Sequence, residues 1–265
     1  MLLAIWMSCS PVQGEEPGPV VEAAPPLLPE PPPVPPGPAI REPTDYDAPS
    51  SLSADQRVAL AAKRGATVKA LFTDAEVPYP PKTLLFRVYK AEAQLEVWGA
   101  DGGPLKLVAT WGICSFSGGP GPKRQVGDFQ VPEGFYTIDY FKPNSDYHLA
   151  MRVGYPNASD KIKSKGKDPG GDIMIHGNCV SIGCLAMSDE RIEELWEIAR
   201  VVRERGQKVY VHILPARDLE GWITRGEYPE HNEFWKNLAM GEAIFRAEAR
   251  LPVVTTAADG TYIFK

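Results

Sequence analysis

The sequence predicts a mainly β protein with peripheral helices, an α+β fold with a β-sandwich-like core. From Leu84 onward, apolar and polar residues alternate with the period of two that is typical of strands. Patterns with the period of helices lie before and after this region, in residues 53–72 and 189–206. Hydrophobic residues make up 43% of the 265-residue chain, which suffices for a real core, and no internal repeat is present.

The first predicted helix begins at Ser53. Ser53 is suited to be its N-cap, and Gln56 completes the pattern of a capping box. The prolines between Pro78 and Pro81 end this segment, which we interpret as a brace without a chemical role.

The strands follow. Segments 84–90 and 93–100 are separated by two residues and therefore predict a hairpin, and segment 105–114 follows a turn at residues 101–103. All three are rich in strand-forming residues. Further strands are predicted at 126–131, 135–141 and 147–153.

The second half alternates helices and strands. A turn-rich loop over 154–172 leads to a short apolar strand at 173–175. Ser188 is the predicted N-cap of the helix 189–206, whose acidic first turn suits the helix dipole. A strand at 208–214 carries His212, which we interpret as a structural histidine. At the end of the sequence, a helix is predicted at 233–251 and a hairpin at 253–264.

The N-terminal region has a different character. Residues 1–14 form a short apolar run that resembles the back half of a secretory signal, with cleavage after Gly14 or lipidation at Cys9 as alternatives. Fourteen of the 27 prolines lie in residues 11–49, which predicts an extended, semi-rigid linker over 15–50. We therefore expect export to the periplasm or cell envelope, with tethering through the N-terminus as one alternative.

Charge and hydropathy exclude several classes of function. The net charge is −6 without a basic block, which argues against nucleic acid as a partner. After the first dozen residues the chain is too polar for a membrane-spanning helix, so no integral membrane span is expected. The glycine- and proline-rich segment 117–122 lacks the Lys-Ser/Thr ending of a phosphate loop, so nucleotide binding is not predicted.

The chemistry is predicted in residues 172–187. His176 ends an apolar strand, and Cys184 lies eight residues later, just upstream of a helix. A thiolate is the reactive form of cysteine, and an imidazole within hydrogen-bond reach can generate it. The pair therefore suggests covalent acyl transfer. Two alternatives stay open: Cys184 as a buried hydrophobic residue, and a zinc site of His176, Cys179 and Cys184.

Cysteine usage leaves the pairing open. Besides Cys9, the chain contains Cys114, Cys179 and Cys184. A cysteine nucleophile requires one free thiol, whereas Cys114 and Cys179 either pair or are separately buried.

These motifs resemble a known family. The segment that contains His176 and Cys184, together with four blocks that precede it in the chain, resembles the YkuD-type L,D-transpeptidases. The resemblance is to the YafK-like subgroup in particular, which comprises murein L,D-transpeptidases and diaminopimelate–protein amidases. The resemblance extends over about residues 80–265 in ordered blocks. The blocks are LEVWG (95–99), ICSFSGGPGPK (113–123), GDFQVPEGFY (127–136), PNSDYHLAMRVGYPNASD (143–160) and IMIHGNCVSIGCLAM (173–187).

The resemblance implies a β-sandwich-like L,D-transpeptidase catalytic domain that needs no cofactor or metal and acts on peptidoglycan stem peptides. Cys184 would be the nucleophile and His176 the general base and acid. The carbonyl of Gly177 would orient the imidazole, and backbone N–H groups at Gly183 and Cys184 would bind the oxyanion. Ser181 would shape the turn.

Other polar residues are candidates for binding a zwitterionic diaminopimelate, each with a turn-forming role as the alternative. They are Tyr155, Asn157, Asp160, Asn144 and Ser145. Ser115 and Lys123 are weaker candidates.

Two departures from the family pattern bear on the reaction. Ile182 stands where the family usually has histidine, and Ala186 stands where it usually has arginine or asparagine. A hydrolytic amidase that releases an envelope lipoprotein from diaminopimelate, and a non-catalytic peptidoglycan-binding module, therefore remain alternative functions.

The predicted organisation of the chain follows from these observations. It comprises a signal-like segment (1–14), a linker (15–50), a helical brace (51–80), a catalytic domain (81–216) and a C-terminal extension (217–265).

Overall fold

The computed structural model describes residues 52–265, so the predicted signal-like segment (1–14) and the whole predicted linker (15–50) lie outside the described residues. Its helices are α1 (Ala54–Lys63), α2 (Gly65–Asp74), α3 (Ala158–Lys163), α4 (Asp189–Glu204), α5 (Leu219–Arg225) and α6 (Asn232–Glu248), with a 3-10 turn at Pro229–His231. Its strands are β1 (Thr83–Tyr89), β2 (Gln94–Ala100), β3 (Lys106–Gly112), β4 (Gly134–Ser145), β5 (His148–Val153), β6 (Met174–His176), β7 (Leu185–Ala186), β8 (Val209–Leu214), β9 (Val254–Thr256) and β10 (Tyr262–Phe264).

Eight strands form one mixed sheet in the order β3-β2-β1-β8-β4-β5-β6-β7. The long strand β4 joins its two halves, because residues 134–137 pair with β8 and residues 138–145 pair with β5. The predicted class, mainly β with peripheral helices, is confirmed. The predicted terminal hairpin is also confirmed as the antiparallel pair β9 and β10.

Alternation along the central strands gives the sheet two buried faces. Strands β1 and β8 run parallel and pair Phe86 with Val211, and the side chains of both belong to the larger core cluster. On this face the sheet packs against α1, α2 and α4, whose apolar stripe includes the fully buried Leu195.

The opposite face is covered by the C-terminal extension. Phe245 of α6 packs edge-on against Trp98 of β2, with ring centroids 5.0 Å apart. Arg87 is fully buried on this face, pairs with Glu242 of α6 and lies over the Phe245 ring. His212 is buried beside Arg87, and burial holds its pKa well below the ordinary value, so it is a neutral structural histidine as predicted.

Two secondary-structure predictions were wrong, the single helix over 53–72 and the strand at 126–131. The single helix expected over 53–72 is two helices, although the capping box of Ser53 and Gln56 is confirmed. The break falls at Arg64, before the poor helix former Gly65, and the Arg64 side chain reaches Glu193 and Glu190 of α4.

The strand expected at 126–131 is a loop, because Asp128 organises the local backbone. Its carboxylate accepts hydrogen bonds from the N–H groups of Arg124, Gln125 and Gln130, which competes with strand pairing. Two helices were not predicted. Helix α3 lies within the turn-rich segment 154–172, and α5 follows β8.

A disulfide fixes the far edge of the sheet. Cys114 follows β3 and pairs with Cys179, which lies between β6 and β7 and is 65 residues away in sequence. The Cys114 N–H also donates to the carbonyl of Ala186 in β7. The bond thus joins the two ends of the sheet order, next to the turn that carries Cys184.

Removing this disulfide is expected to lower stability. The double variant Cys114→Ala/Cys179→Ala should lose roughly 2–4 kcal/mol of unfolding free energy, because the bond closes a long loop in the unfolded chain. Urea titration of the oxidised wild type and the variant measures the difference. Dithiothreitol should lower the wild type to the level of the variant and leave the variant unchanged; equal stabilities without reductant would contradict this account.

Candidate active site

The backbone of two short strands brings the proposed base and nucleophile to neighbouring positions. Strands β6 and β7 run parallel and pair His176 with Ala186, and the Met187 N–H donates to the His176 carbonyl at 2.7 Å. Cys184 precedes Ala186 by two residues. Cys184 stands directly before β7, so the chain that carries the thiol leads into the strand beside His176.

The imidazole of His176 is held in one tautomer. Its Nδ1 lies 2.7 Å from the carbonyl oxygen of Gly177, so Nδ1–H donates and Nε2 carries the lone pair. Nε2 makes no hydrogen bond within residues 52–265. The side chain is 2% exposed, and this burial lowers its pKa below the ordinary value of 6.5, against the opposing effect of the bond to Gly177.

The position of Gly177 has no room for a side chain. A Cβ there would lie 2.5 Å from Oδ1 of Asp189 and 3.0 Å from side-chain atoms of His148 and Ile192. The Gly177 N–H donates to the carbonyls of Tyr147 and Leu149, which fixes the peptide that orients His176.

Cys184 is a free, half-buried thiol. Its Sγ accepts a hydrogen bond from the Met174 N–H at 3.4 Å and lies 3.7 Å from the Asp172 carbonyl oxygen. No hydrogen bond joins Sγ to His176 within the described residues. Burial raises the thiol pKa above its ordinary value of 9.0, and the Asp172 carboxylate adds to the shift, while the Met174 N–H and the Lys123 charge oppose it.

The turn before Cys184 is closed by Ser181. The Ser181 hydroxyl accepts from the Cys184 N–H at 2.9 Å and donates to the Cys184 carbonyl at 2.7 Å. Between them, Gly183 has φ = +94°, a conformation that strains other residues. The Cys184 N–H is therefore engaged by Ser181, whereas the Gly183 N–H makes no hydrogen bond within residues 52–265.

Cys184 opens into a cleft of about 200 Å³. The cleft is lined by Gly183, Ile182, residues 170–173, Lys123, Val126, Gly127 and Phe129. Lys123 is held by the Asp128 carboxylate at 2.6 Å and is 6% exposed. Three apolar side chains at the mouth are solvent-exposed, by 76% for Ile182, 62% for Val126 and 58% for Phe129. The cleft therefore combines a thiol, a paired cation and an apolar rim.

Three of the predicted substrate contacts have structural partners instead. Asn157 is the N-cap of α3 in a capping box with Asp160, and its amide also donates to Tyr262 at 2.8 Å. Asp160 is fully buried and pairs with Arg124, and burial raises its pKa to about 6. The Tyr155 hydroxyl donates to the Pro169 carbonyl at 3.0 Å. None of the three lines the cleft, so their polar groups serve the fold.

The other two candidates, Asn144 and Ser145, are the last residues of β4, before the turn to β5. Asn144 is exposed there, whereas Ser145 is buried and its hydroxyl accepts from the Tyr147 N–H at 3.1 Å. Tyr147 packs on the His176 ring with centroids 4.9 Å apart. The sequence pattern contained no signal for this contact, because Tyr147 lies in the turn before β5 and His176 lies in β6, far from it in the sequence.

The zinc alternative fails on the ligand set. Cys179 is bonded to Cys114 and is not available as a thiolate. Within residues 52–265 no group of three His, Cys, Asp or Glu side chains is placed to hold a metal ion. Over the same residues, no helix has both the length and the apolar character needed to cross a bilayer.

Comparisons with known proteins show the family of this fold. Residues 85–225 match the family model of the YkuD L,D-transpeptidase catalytic domain. The protein named "Putative L,D-transpeptidase YafK" from Escherichia coli strain K12 is 36% identical over 180 residues, which are 67% of this chain and 72% of that protein.

Solved structures to which the chain is similar include the helical cell shape determining protein Pgp2 from Campylobacter jejuni. It shares 22% identity, covers 77% of this chain and 82% of its own, and gives a TM-score of 0.43. Bdellovibrio bacteriovorus Bd1075 shares 19% identity, covers 62% of this chain and 56% of its own, and gives a TM-score of 0.37. Since the family model spans more than half of the chain, the chain belongs to the YkuD family of L,D-transpeptidase catalytic domains.

Proposed function

We propose that this protein is a cysteine acyltransferase that acts on peptidoglycan stem peptides in the cell envelope. Family membership supports the reaction class, and the relative named as an L,D-transpeptidase supports the kind of substrate. Cys184 is the nucleophile, His176 is the general base and acid, and Gly177 is the residue whose carbonyl orients the imidazole.

One observation carries the proposal: Nδ1 of His176 donates a hydrogen bond to the carbonyl of Gly177. His176 ends β6, and β6 pairs with β7, the strand that follows Cys184. The hydrogen bond leaves the Nε2 lone pair as the only basic site of a buried imidazole. The thiol rests against the backbone of residues 172–174, and catalytic hydrogen bonds commonly tighten only when substrate binds. Rotation of the Cys184 side chain toward Nε2 would complete the pair.

The chemical steps then follow. His176 Nε2 takes the thiol proton as Sγ attacks the amide carbonyl, and the carbonyl oxygen becomes an oxyanion that the free Gly183 N–H can bind. Collapse breaks the C–N bond, the leaving amine takes the proton from His176, and a thioester remains on Cys184. An acceptor amine, or water in the hydrolytic alternative, attacks the thioester carbonyl and loses a proton to His176. The C–S bond then breaks, and the Cys184 thiolate takes the proton back from His176.

The compartment and partners belong to the same proposal. The disulfide Cys114–Cys179 supports an oxidising compartment such as the periplasm, because such bonds rarely persist in a reducing cytosol. The partner is the peptidoglycan stem peptide, and in the amidase alternative also an envelope lipoprotein attached to diaminopimelate.

Replacing the nucleophile is expected to abolish turnover and preserve the fold. Cys184→Ala should lower kcat by at least about 10³-fold, since the thioester can no longer form. Release of product from muropeptides, followed by chromatography, measures the rate. Cys9→Ala removes a cysteine that has no role in the proposed chemistry or the disulfide, and it should keep the wild-type rate. Retained turnover in Cys184→Ala would refute the proposal.

The pH dependence should distinguish turnover from thiol reactivity. A raised thiol pKa and a lowered imidazole pKa make both groups neutral near pH 7. Protonation of His176 inactivates the base, so kcat/KM should rise with pH through a midpoint below 6.5 and be level at neutral pH. Alkylation of Cys184 by iodoacetamide should instead keep increasing above pH 9.

His176→Gln is the matched control for this prediction. Because the resting pair carries no thiolate, the variant should keep the wild-type alkylation profile while losing turnover. An alkylation plateau that begins below pH 6 would reveal a thiolate–imidazolium pair and contradict the neutral resting state.

The reaction type is decided by incubation with purified muropeptides, with and without an amine acceptor, followed by mass spectrometry. Transfer predicts an acylated Cys184 peptide and a product that contains the acceptor. A product of water addition alone, even with the amine present, would assign the hydrolytic alternative. Saturable binding to murein sacculi without acylation of Cys184 would indicate a non-catalytic module.

A further inference from the structure

One wall of the cleft is a loop whose two ends are hydrogen-bonded to the same buried ion pair. This segment, Gly121–Val131, is called the cleft loop below. It contributes Lys123, Val126, Gly127 and Phe129 to the lining of the cleft beside Cys184. Its inner hydrogen bonds are made by Asp128, whose carboxylate accepts from three backbone N–H groups.

The two ends of the cleft loop are bound to one buried ion pair. Lys90 donates to the carbonyl of Gly121 at 2.7 Å and to the carbonyl of Val131 at 3.0 Å. Its third bond is to Oε1 of Glu133 at 3.0 Å, and the same oxygen accepts from the Gly121 N–H at 2.8 Å. The Lys90 and Glu133 side chains are 2% and 0% exposed.

The C-terminal extension supplies the remaining partner. Nε1 of the fully buried Trp235 in α6 donates to Oε2 of Glu133 at 2.7 Å. The His231 ring packs directly against Gly121, where a Cβ would lie 2.3 Å from Nε2. Residues that follow the predicted catalytic domain therefore contact the base of the cleft loop.

Stability alone does not account for this arrangement. Removing two charges from water costs free energy that their attraction often fails to repay, so a buried ion pair is weak evidence for a stabilising role. Here every ammonium proton has an acceptor and both carboxylate oxygens have donors. A fully satisfied buried network fixes geometry, because any displacement leaves a polar group unpaired.

We propose that Lys90, Glu133 and Trp235 are positioning residues that fix the ends of the cleft loop and thereby hold the cleft wall in place for substrate. The role in substrate binding rests on the proposed function. The mechanical part does not, because it concerns only how the loop is held.

Trp235→Phe is the decisive variant, since it removes the indole N–H that Glu133 accepts and keeps an aromatic ring. Trp196→Phe is its matched control. Trp196 is also buried, 4% exposed, but its Nε1 has no hydrogen-bond partner within residues 52–265. Glu133→Gln tests the same network more strongly, because the amide NH2 group of the new side chain must face one of the N–H donors that the carboxylate accepts in the wild type. Thermal unfolding checks that each full-length variant folds.

Hydrogen exchange read by mass spectrometry measures the loop directly. The amides to follow are those of Arg124, Gln125, Val126 and Gln130, which are bonded in the wild type. Their exchange should accelerate about tenfold in Trp235→Phe, the size expected for losing one bond to a buried charged acceptor. It should stay near the wild-type rate in Trp196→Phe. Equal acceleration in both variants, or none in Trp235→Phe, would overturn the proposal.

Kinetics on a stem-peptide substrate test the consequence for binding. In Trp235→Phe, KM should rise several-fold while kcat stays within about twofold, because the reacting pair lies on β6 and the turn before β7 and not on the loop. An unchanged KM with an accelerated loop would overturn the positioning role. If the wild type shows no turnover, the proposed function fails separately, and the rate of Cys184 alkylation is measured in place of KM. This alkylation rate should increase in Trp235→Phe. An unchanged alkylation rate would overturn the positioning role.

Discussion

The site depends on the parallel pairing of two very short strands, β6 and β7. The three residues of β6 pair with the two residues of β7 at the edge of an eight-stranded sheet. This pairing alone sets His176 beside the chain that leads from Cys184. So short a ladder has few hydrogen bonds of its own. The disulfide between Cys114 and Cys179 and the bridge between Ser115 and Ala186 therefore secure its outer side.

Around this pairing, small groups decide the chemistry. Gly177 leaves room for Asp189 and His148 and so allows its carbonyl to reach Nδ1 of His176. Ser181 occupies the N–H and the carbonyl of Cys184, which makes the turn rigid but consumes one expected oxyanion donor. Burial raises the pKa of the Cys184 thiol and lowers the pKa of the His176 imidazole, so it disfavours the charged form of each group.

The helices that flank the sheet serve the site from both faces. Arg57 of α1 donates to the carbonyls of Ser145 and His148, at the turn whose Tyr147 covers His176. On the other face, Trp235 of α6 reaches the ion pair at the base of the cleft loop. Segments that we interpreted as a brace and an extension thus contact the turn that carries Tyr147 and the base of the cleft loop.

The sequence by itself determined the features that arise from neighbours in the chain: the alternation of β1 to β3, the caps at Ser53 and Ser188, and the motif that contains His176 and Cys184. It did not distinguish a polar residue that binds substrate from one that caps a helix, because the same side-chain atoms at Asn157 and Asp160 can satisfy either partner. Only the tertiary structure decided the disulfide pairing, the contact of Tyr147 with His176 and the ends of the cleft loop. These contacts join residues as far apart as Glu133 and Trp235, and no local pattern specifies which distant polar groups meet.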